Sequence, residues 1–477
     1  MIDLKNLTIE KAHNSLKKGE FTCRQLAEAY LENIKEKNKL LNAYLEIYDD
    51  VLAQADKAQK MFKEGQDTIL TGIPFGIKDN ILFEGHIASA GSKILENYKA
   101  SYSATVIKEL IKAGAVILGR TNMDEFAMGS STEYSAYGPT KNPLDTSRVP
   151  GGTSGGSAAV TSANMALVTL GTETCGSVRE PAAFCGVVGI KPTYGGISRH
   201  GVIAMGNSLD QVSPFGKTVG DAEIVCNALL KYDKDDATSV PVSSRTVLKK
   251  SLQGPSFSRQ KIGVPWHLFE NDLDKVIMDN FKESIEKLKK AGYEIVDIEL
   301  PYAKYSLAVY YIVMPAEVST NLSRFDGIRY GFHYDGKDLM EVYKKSRAKG
   351  FGAEARRRIL LGTYVLSHGY YDAYYNRAVK IREKIKEEMN EAFQKVDFIV
   401  TPTAPFLPFK LGEKLNDPVS MYLCDLFNAP ANLTGTPSIA IPAGFNSEGL
   451  PFSIQFTAPH FCEDALFNVG KKFEEIR

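Results

Sequence analysis

No charge of either sign prevails in this chain, whose 477 residues carry 57 Lys and Arg against 57 Asp and Glu. A surface without a global field is not steered onto nucleic acid or anionic lipid, so any RNA contact is expected to be local or made by a partner. No run of about 18 apolar residues occurs either, which argues against a transmembrane helix. The opening stretch MIDLKNLTIEKAHNSLKKGE mixes acids with bases and has no apolar core of a signal peptide. Neither secretion nor membrane attachment is expected, and the expected location is the cytoplasm or an organelle interior. The six cysteines (Cys23, Cys175, Cys185, Cys226, Cys424 and Cys462) form no C-x-x-C pair and no cluster with histidine spaced for zinc. That fits a reducing compartment and no structural metal.

What is present is an ordinary globular composition, 44% hydrophobic and 24% charged, long for a single compact core. Helices open the chain: Thr22 and Gln25 have capping-box spacing, and Leu26, Tyr30 and Ile34 recur every four residues with Ala27 and Leu31 beside them. From about residue 70 the texture changes to short β-branched runs broken by glycine. GIPFGIKDNI begins at Gly72, SATVIKELIKAGA reads as a helix stopped by glycine, and AVILGR follows as a buried strand. This alternation predicts an α/β fold, a mixed sheet between layers of helices. Residues 231–260 are polar and aperiodic and predict a surface connection between two lobes. Beyond them, DLDKVIMDNFKESIEKLKKAGYEIVDIEL reads as an amphipathic helix, a glycine stop and a strand. A long helical stretch is expected from about 353 to 396, and DFIVTPTAP and SIAIPAGF are expected to add strands to the same sheet.

Several short matches carry no chemistry. Ser15-Leu16-Lys17-Lys18 fits S-x-x-K but lies on a terminal amphipathic helix, and Gly216-Lys217-Thr218 lacks the P-loop glycine because position 211 is Gln211. The seven histidines sit in no G-x-S-x-G or H-E-x-x-H setting, so neither a Ser-His-Asp hydrolase nor a zinc hydrolase is indicated. The densest glycine and serine, PGGTSGGSAAV (150–160) and GTETCGSVREPAAFCGVVGIKPTYG (171–195), is interleaved with apolar residues, which a flexible linker would not carry. There the backbone is expected to turn tightly and approach a substrate carbonyl. The amides of Thr174, Cys175 and Gly176, just before Ser177, would converge on an oxyanion. A serine nucleophile needs a base, and with no suitable histidine the candidate is Lys78 in GIKDN. Its apolar flanks Pro74, Phe75, Ile77 and Ile81 fit burial, which favours the neutral amine.

These stretches resemble the amidase signature family, whose hallmark is a lysine in G-[IV]-K-D, a relay serine in G-G-S-S-G-G-S and a nucleophilic serine in G-G-S-[IV]-R. By position, the resemblance assigns Lys78 as base, Thr153 as relay 75 residues later, and Ser177 as nucleophile 24 residues after that. It implies a cis peptide bond before the relay residue. It spans nearly the whole chain and implies one domain, 1–477: a helical region 1–65, a core of about 66–230, the connection 231–260 and an α/β region 261–477.

Longer stretches, among them TNMDEFAMGSSTEYSAYGPTKNP, PAEVSTNLSRFDGIRYG and RRILLGTYVLSHGYYDAYY, are similar to the branch that serves as glutaminase subunit in tRNA-dependent amidotransferases. That likeness implies a heterotrimer with B and C subunits, glutamine as ammonia donor and a γ-glutamyl ester on Ser177. ATP and Mg are expected at the partner, mischarged tRNA is met mainly through the B subunit, and no cofactor is expected in this chain. The likeness assigns Arg358 to the α-carboxylate of glutamine and Asp425 to its α-amino group, with Tyr310, Met128 and Gly129 lining the pocket.

The chain departs from the family pattern at four positions: Thr153 for serine, Cys175 for glycine, Glu173 for aspartate and Glu180 for glutamine. A Cβ at 175 would be harmful if the backbone there needs positive φ. Two alternatives remain: a stand-alone amide hydrolase, and a weakly active or non-catalytic assembly subunit.

Overall fold

Eleven strands form one mixed sheet in the computed structural model, which describes residues 2–241, 243–245, 260–269 and 273–477. In chain order they are β1 (Tyr44–Ile47), β2 (Pro74–Lys78), β3 (Val116–Thr121), β4 (Val168–Glu173), β5 (Val188–Lys191), β6 (Gln211–Gly216), β7 (Lys261–Val264), β8 (Glu294–Asp297), β9 (Phe398–Pro402), β10 (Ser438–Phe445) and β11 (Pro451–Thr457). Across the sheet the order is β1-β3-β2-β4-β6-β5-β10-β11-β9-β7-β8. β2 runs parallel to both β3 and β4, and β7 parallel to β8 and β9, while the middle of the sheet is antiparallel. DFIVTPTAP and SIAIPAGF join this same sheet as β9 and β10, as their sequences predict.

Every residue of β2, β3 and β4 is buried, the pattern of strands covered on both faces rather than the alternation of a half-exposed sheet. One cover is the Cys23–Leu41 helix, whose Thr22–Gln25 capping box forms and whose Leu26, Ala27, Tyr30 and Ile34 face the core. The first 65 residues also hold β1, which pairs antiparallel with β3, so this region is not helical alone. Of the expected surface connection, residues 242 and 246–259 lie outside the described residues. The expected helix of 353–396 is two helices, Ala353–Val365 and Arg377–Ala392, with a π-helical turn at Tyr371–Asn376 between them. Among the described residues no helix is long and apolar enough to cross a membrane.

A second apolar cluster lies above the sheet, built from Val309, Val313, Met314 and Val318 of the Ser306–Asn321 helix with Met128, Cys175 and Met205 below. Two glycines set close approaches. At Gly156, in the Gly155–Ser162 helix, a Cβ would run into the backbone of Asn122. At Gly362 a Cβ would run into the Pro315 carbonyl, so the two helices above the site touch through bare backbone.

The parallel triplet positions the site. β2 and β4 are neighbours with Ile77 opposite Leu170, so Lys78 and the turn after Glu173 emerge at the same carboxyl edge. The segment 150–154 enters the Gly155–Ser162 helix beside them. Gly362→Ala is expected to lower stability by about 1–3 kcal/mol through overpacking, read by denaturant unfolding. An unchanged midpoint would show that the two helices do not depend on that contact.

Candidate active site

Lys78, the last residue of β2, is fully buried. Its Nζ lies 2.8 Å from Thr153 Oγ1, 2.8 Å from Ser154 Oγ and 3.1 Å from the Thr172 carbonyl oxygen. Burial lowers its pKa to about 7, against the opposing pull of Asp124, Asp210 and Glu173. A neutral amine has two N–H donors and one lone pair, and the neighbours decide how these are used. The Ser154 hydroxyl donates to the Thr172 carbonyl at 3.0 Å and accepts from the Thr172 amide at 3.3 Å. Ser154 therefore has only a lone pair left for the amine. The Thr172 carbonyl can only accept as well. Nζ stands within donor distance of Thr153 Oγ1; once the amine is neutral and its two N–H bonds go to Ser154 and Thr172, its lone pair is free to accept from the Thr153 hydroxyl.

Thr153 follows a cis peptide bond from Gly152 and is fully buried. Its segment is tied to the next by the Ser154 amide, which donates to the Ser177 carbonyl at 3.1 Å. Ser177 is 4% exposed, and its hydroxyl has no hydrogen-bond partner among the described residues. The amides of Thr174, Cys175 and Gly176 likewise meet no acceptor among the described residues, which leaves them available to an oxyanion. The left-handed conformation in this turn falls on Gly176, with φ of 73°. Cys175 is not among the positive-φ residues, so its Cβ is carried without strain, and the side chain packs into the upper apolar cluster.

A buried ion pair frames the turn. Arg179 donates to Glu173 Oε1 from Nε at 2.9 Å and from Nη2 at 2.6 Å, while Glu173 Oε2 accepts the amides of Val178 and Arg179, both at 3.1 Å. The same guanidinium reaches Gln455 at 2.6 Å and the Asn428 carbonyl at 3.0 Å, so β11 and the 423–434 region hold the Ser177 turn from behind. Burial would raise the pKa of Glu173, but the charge and hydrogen bonds of Arg179 outweigh it and keep the pKa low.

Beyond Gly176 lies a pair of opposite charges. Of the run Arg356, Arg357 and Arg358, the first two are exposed and Arg358 is buried. Its Nε donates to Glu354 at 2.7 Å, Nη1 meets only Met314 Sδ at 3.6 Å, and Nη2 is buried without a partner. The guanidinium lies 5.3 Å from the Tyr311 ring and 5.2 Å from the Tyr422 ring. Asp425 is also buried, and its Oδ2 accepts from the Tyr311 hydroxyl at 2.7 Å. Its Oδ1 faces the turn, 3.0 Å from where a Cβ on Gly176 would stand. Burial raises the Asp425 pKa to about 7, with Tyr311 and Arg358 working against it.

Tyr310 is buried with its ring 4.9 Å from that of Tyr311, but the hydrogen bond to Asp425 comes from Tyr311. Met128 packs in the cluster with Cys175 and Tyr310. Gly129 has φ of 146° and stands against Asp124 and Tyr134.

Sequence reasoning missed three residues here: Ser154, Asp124 and Tyr311. Ser154 was signalled by its place beside Thr153 in the same motif, and Tyr311 by its twin Tyr310. Asp124 had no local signal; it is a buried acid that accepts the amides of Thr132 at 2.9 Å, Tyr134 at 3.0 Å and Ser131 at 3.3 Å.

The amidase family model matches residues 25–467. The chain belongs to the amidase family. Among curated relatives of this amidase-family chain, the A subunit of glutamyl-tRNA(Gln) amidotransferase from Thermoanaerobacter pseudethanolicus is 47% identical over 99% of the chain and 97% of the relative. Its namesake from Koribacter versatilis is 48% identical over 99% of each. Among solved structures, the A subunit of glutamyl-tRNA(Gln) amidotransferase from Thermotoga maritima superposes with a TM-score of 0.80 at 38% identity, covering 100% of this chain and 96% of that one. Peptide amidase from Stenotrophomonas maltophilia superposes with a TM-score of 0.80 at 27% identity, covering 99% and 97%.

Because the Lys78 pKa is lowered to about 7, the neutral amine is lost as pH falls through that value. Labelling of Ser177 by a serine-directed fluorophosphonate is expected to slow by about tenfold per pH unit below that point. A labelling rate independent of pH would rule out Lys78 as the base.

Proposed function

We propose that this chain is the glutaminase subunit of a tRNA-dependent amidotransferase, with Lys78, Thr153 and Ser177 as its reacting groups. The observation that carries the reading is the fully buried amine of Lys78, 2.8 Å from the Thr153 hydroxyl. Ser177 Oγ attacks the side-chain amide carbon of glutamine and gives its proton to Thr153, whose own proton passes to Lys78. The carbonyl oxygen becomes an oxyanion held by the amides of Thr174, Cys175 and Gly176. Collapse of the tetrahedral intermediate breaks the C–N bond, the proton returns to the leaving nitrogen, and ammonia departs from a γ-glutamyl ester on Ser177. Water, deprotonated by the same relay, then releases glutamate.

The substrate assignment is supported by the pocket. The unpartnered Nη2 of Arg358 suits an α-carboxylate, and Asp425, facing Gly176, suits an α-ammonium. Met128, Gly129 and Tyr310 complete the wall, and Tyr311 holds Asp425 in place. The relatives are named as subunits, which supports a multi-subunit complex. In that complex ammonia passes to the B subunit, which amidates tRNA-bound glutamate or aspartate with ATP and Mg, and the C subunit completes the heterotrimer. The free Nη2 of Arg358, on a guanidinium whose Nε is already paired with Glu354, gives the stand-alone amide hydrolase reading little support, since a general amidase has no use for a buried donor kept for a carboxylate. Thr153 keeps the relay hydroxyl and Cys175 sits outside the left-handed region, so neither departure favours an inactive subunit.

Ser177→Ala and Lys78→Ala are each expected to lower glutamine hydrolysis by about 10⁴-fold or more, and Thr153→Val to lower it severely while Thr153→Ser does not. Arg358→Ala is expected to raise KM for glutamine by about 10- to 100-fold. Steady-state ammonia release checks all of these variants. Substantial turnover in Ser177→Ala would defeat the mechanism, and an unchanged KM in Arg358→Ala would defeat the substrate assignment.

A further inference from the structure

Glu180 is a carboxyl with no cation to balance it. It is the second residue of the Arg179–Cys185 helix and is fully buried. Its Oε2 accepts from the Gly152 amide at 2.8 Å, and its Oε1 is enclosed without a hydrogen-bond partner. The groups that face it are acids and thiols. Asp124 comes from the segment after β3, Cys424 and Asp425 from the turn at Leu423–Asp425, and Cys185 from its own helix. From the 150–154 segment it takes the backbone amide of Gly152. Among the described residues no lysine, arginine or histidine pairs with it. Burial, and after it the neighbouring carboxyls, push its pKa well above the ordinary range. An unpaired buried carboxyl avoids its desolvation cost by keeping its proton.

The position of this group gives its state a consequence. Gly152 directly precedes Thr153, and the carboxyl is wedged beneath that turn, 2.6 Å from where a Cβ on Gly151 would stand. We propose that Glu180 is a positioning residue that acts as an uncharged carboxylic acid, its carbonyl oxygen holding the Gly152 amide so that the Thr153 hydroxyl is aimed at Lys78. The proton resides on Oε1, because Oε2 is already accepting, and the Cys424 thiol is its polar neighbour. Neutrality matters twice. It avoids an uncompensated buried anion, and it adds no negative charge to Asp124, Asp210 and Glu173, which already pull a proton towards Lys78. An amide would have the same shape and the same acceptor, so Glu180 stands in for glutamine without changing the site's charge. The inference rests on the reading of Lys78, Thr153 and Ser177 as the reacting groups.

The test uses the full chain with Glu180→Gln, Glu180→Asp and Glu180→Ala. It reads kcat and KM for glutamine hydrolysis, together with the infrared difference between the parent and Glu180→Gln at neutral pH. Glu180→Ala and Glu180→Asp are expected to lower kcat by about 100-fold with KM nearly unchanged, and Glu180→Gln to restore the parent value. The parent spectrum should contain the carbonyl stretch of an un-ionised acid that Glu180→Gln lacks. The proposal is overturned if Glu180→Gln is as impaired as Glu180→Ala, if Glu180→Ala keeps full kcat, or if the band lost is that of a carboxylate. Should Glu180→Ala fail to fold, the glutamine variant and the infrared band decide. Turnover surviving in Ser177→Ala would instead sink the assignment of the reacting groups, and the infrared band would still report the state of Glu180.

Discussion

A primary amine stripped of water and set 2.8 Å from a hydroxyl is what the rest of this site is arranged around. Hydration is what makes a lysine basic, and at the end of β2 there is none to be had. Three carboxyls nearby oppose this, and none forms an ion pair with Lys78. Glu173 is committed to Arg179. Asp210 accepts from Thr174 Oγ1 at 2.7 Å and from the amides of Met205 and Gly206. Asp124 is spent on three backbone amides, and its own pKa is raised to about 7, first by burial. Each acid therefore uses its oxygens to hold a loop in shape while its charge is only partly felt by the amine.

The same economy explains how the chain tolerates its unusual residues. Glu173 reaches both the guanidinium of Arg179 and the amides at the start of the following helix. Cys175 carries a Cβ because the left-handed residue of the turn is Gly176. Thr153 adds a methyl yet keeps its hydroxyl within 2.8 Å of the amine. Thr153 and Glu173 thus each make hydrogen bonds at the site, while Cys175 contributes only packing.

The α/β class was legible in the sequence as a local pattern, buried strands between amphipathic helices, and the resemblance singled out Lys78, Thr153 and Ser177, of which the structure sets the first two 2.8 Å apart. That Arg358 is buried was not legible from composition, since it sits beside two exposed arginines. Only the resemblance singled it out, and the helix contact at Gly362 and Pro315 belongs to the packing that encloses it. Tyr311 rather than Tyr310 meets Asp425 because one residue along a helix turns a side chain by about 100°, a difference that sequence likeness alone does not resolve. Ser154 and Asp124 escaped notice because their roles lie in long-range hydrogen bonds, to Lys78 and to the 131–134 loop.

The protonation state of Lys78 tests this account most directly. Lysine side chains labelled with ¹⁵N are titrated by heteronuclear NMR, with the resonance assigned through Lys78→Met. A parallel Lys191→Met sample is required because that buried lysine is also lowered to about 7. The Lys78 nitrogen is expected to change state near pH 7. An amine that stays protonated up to the ordinary lysine value of about 10.4 would contradict it.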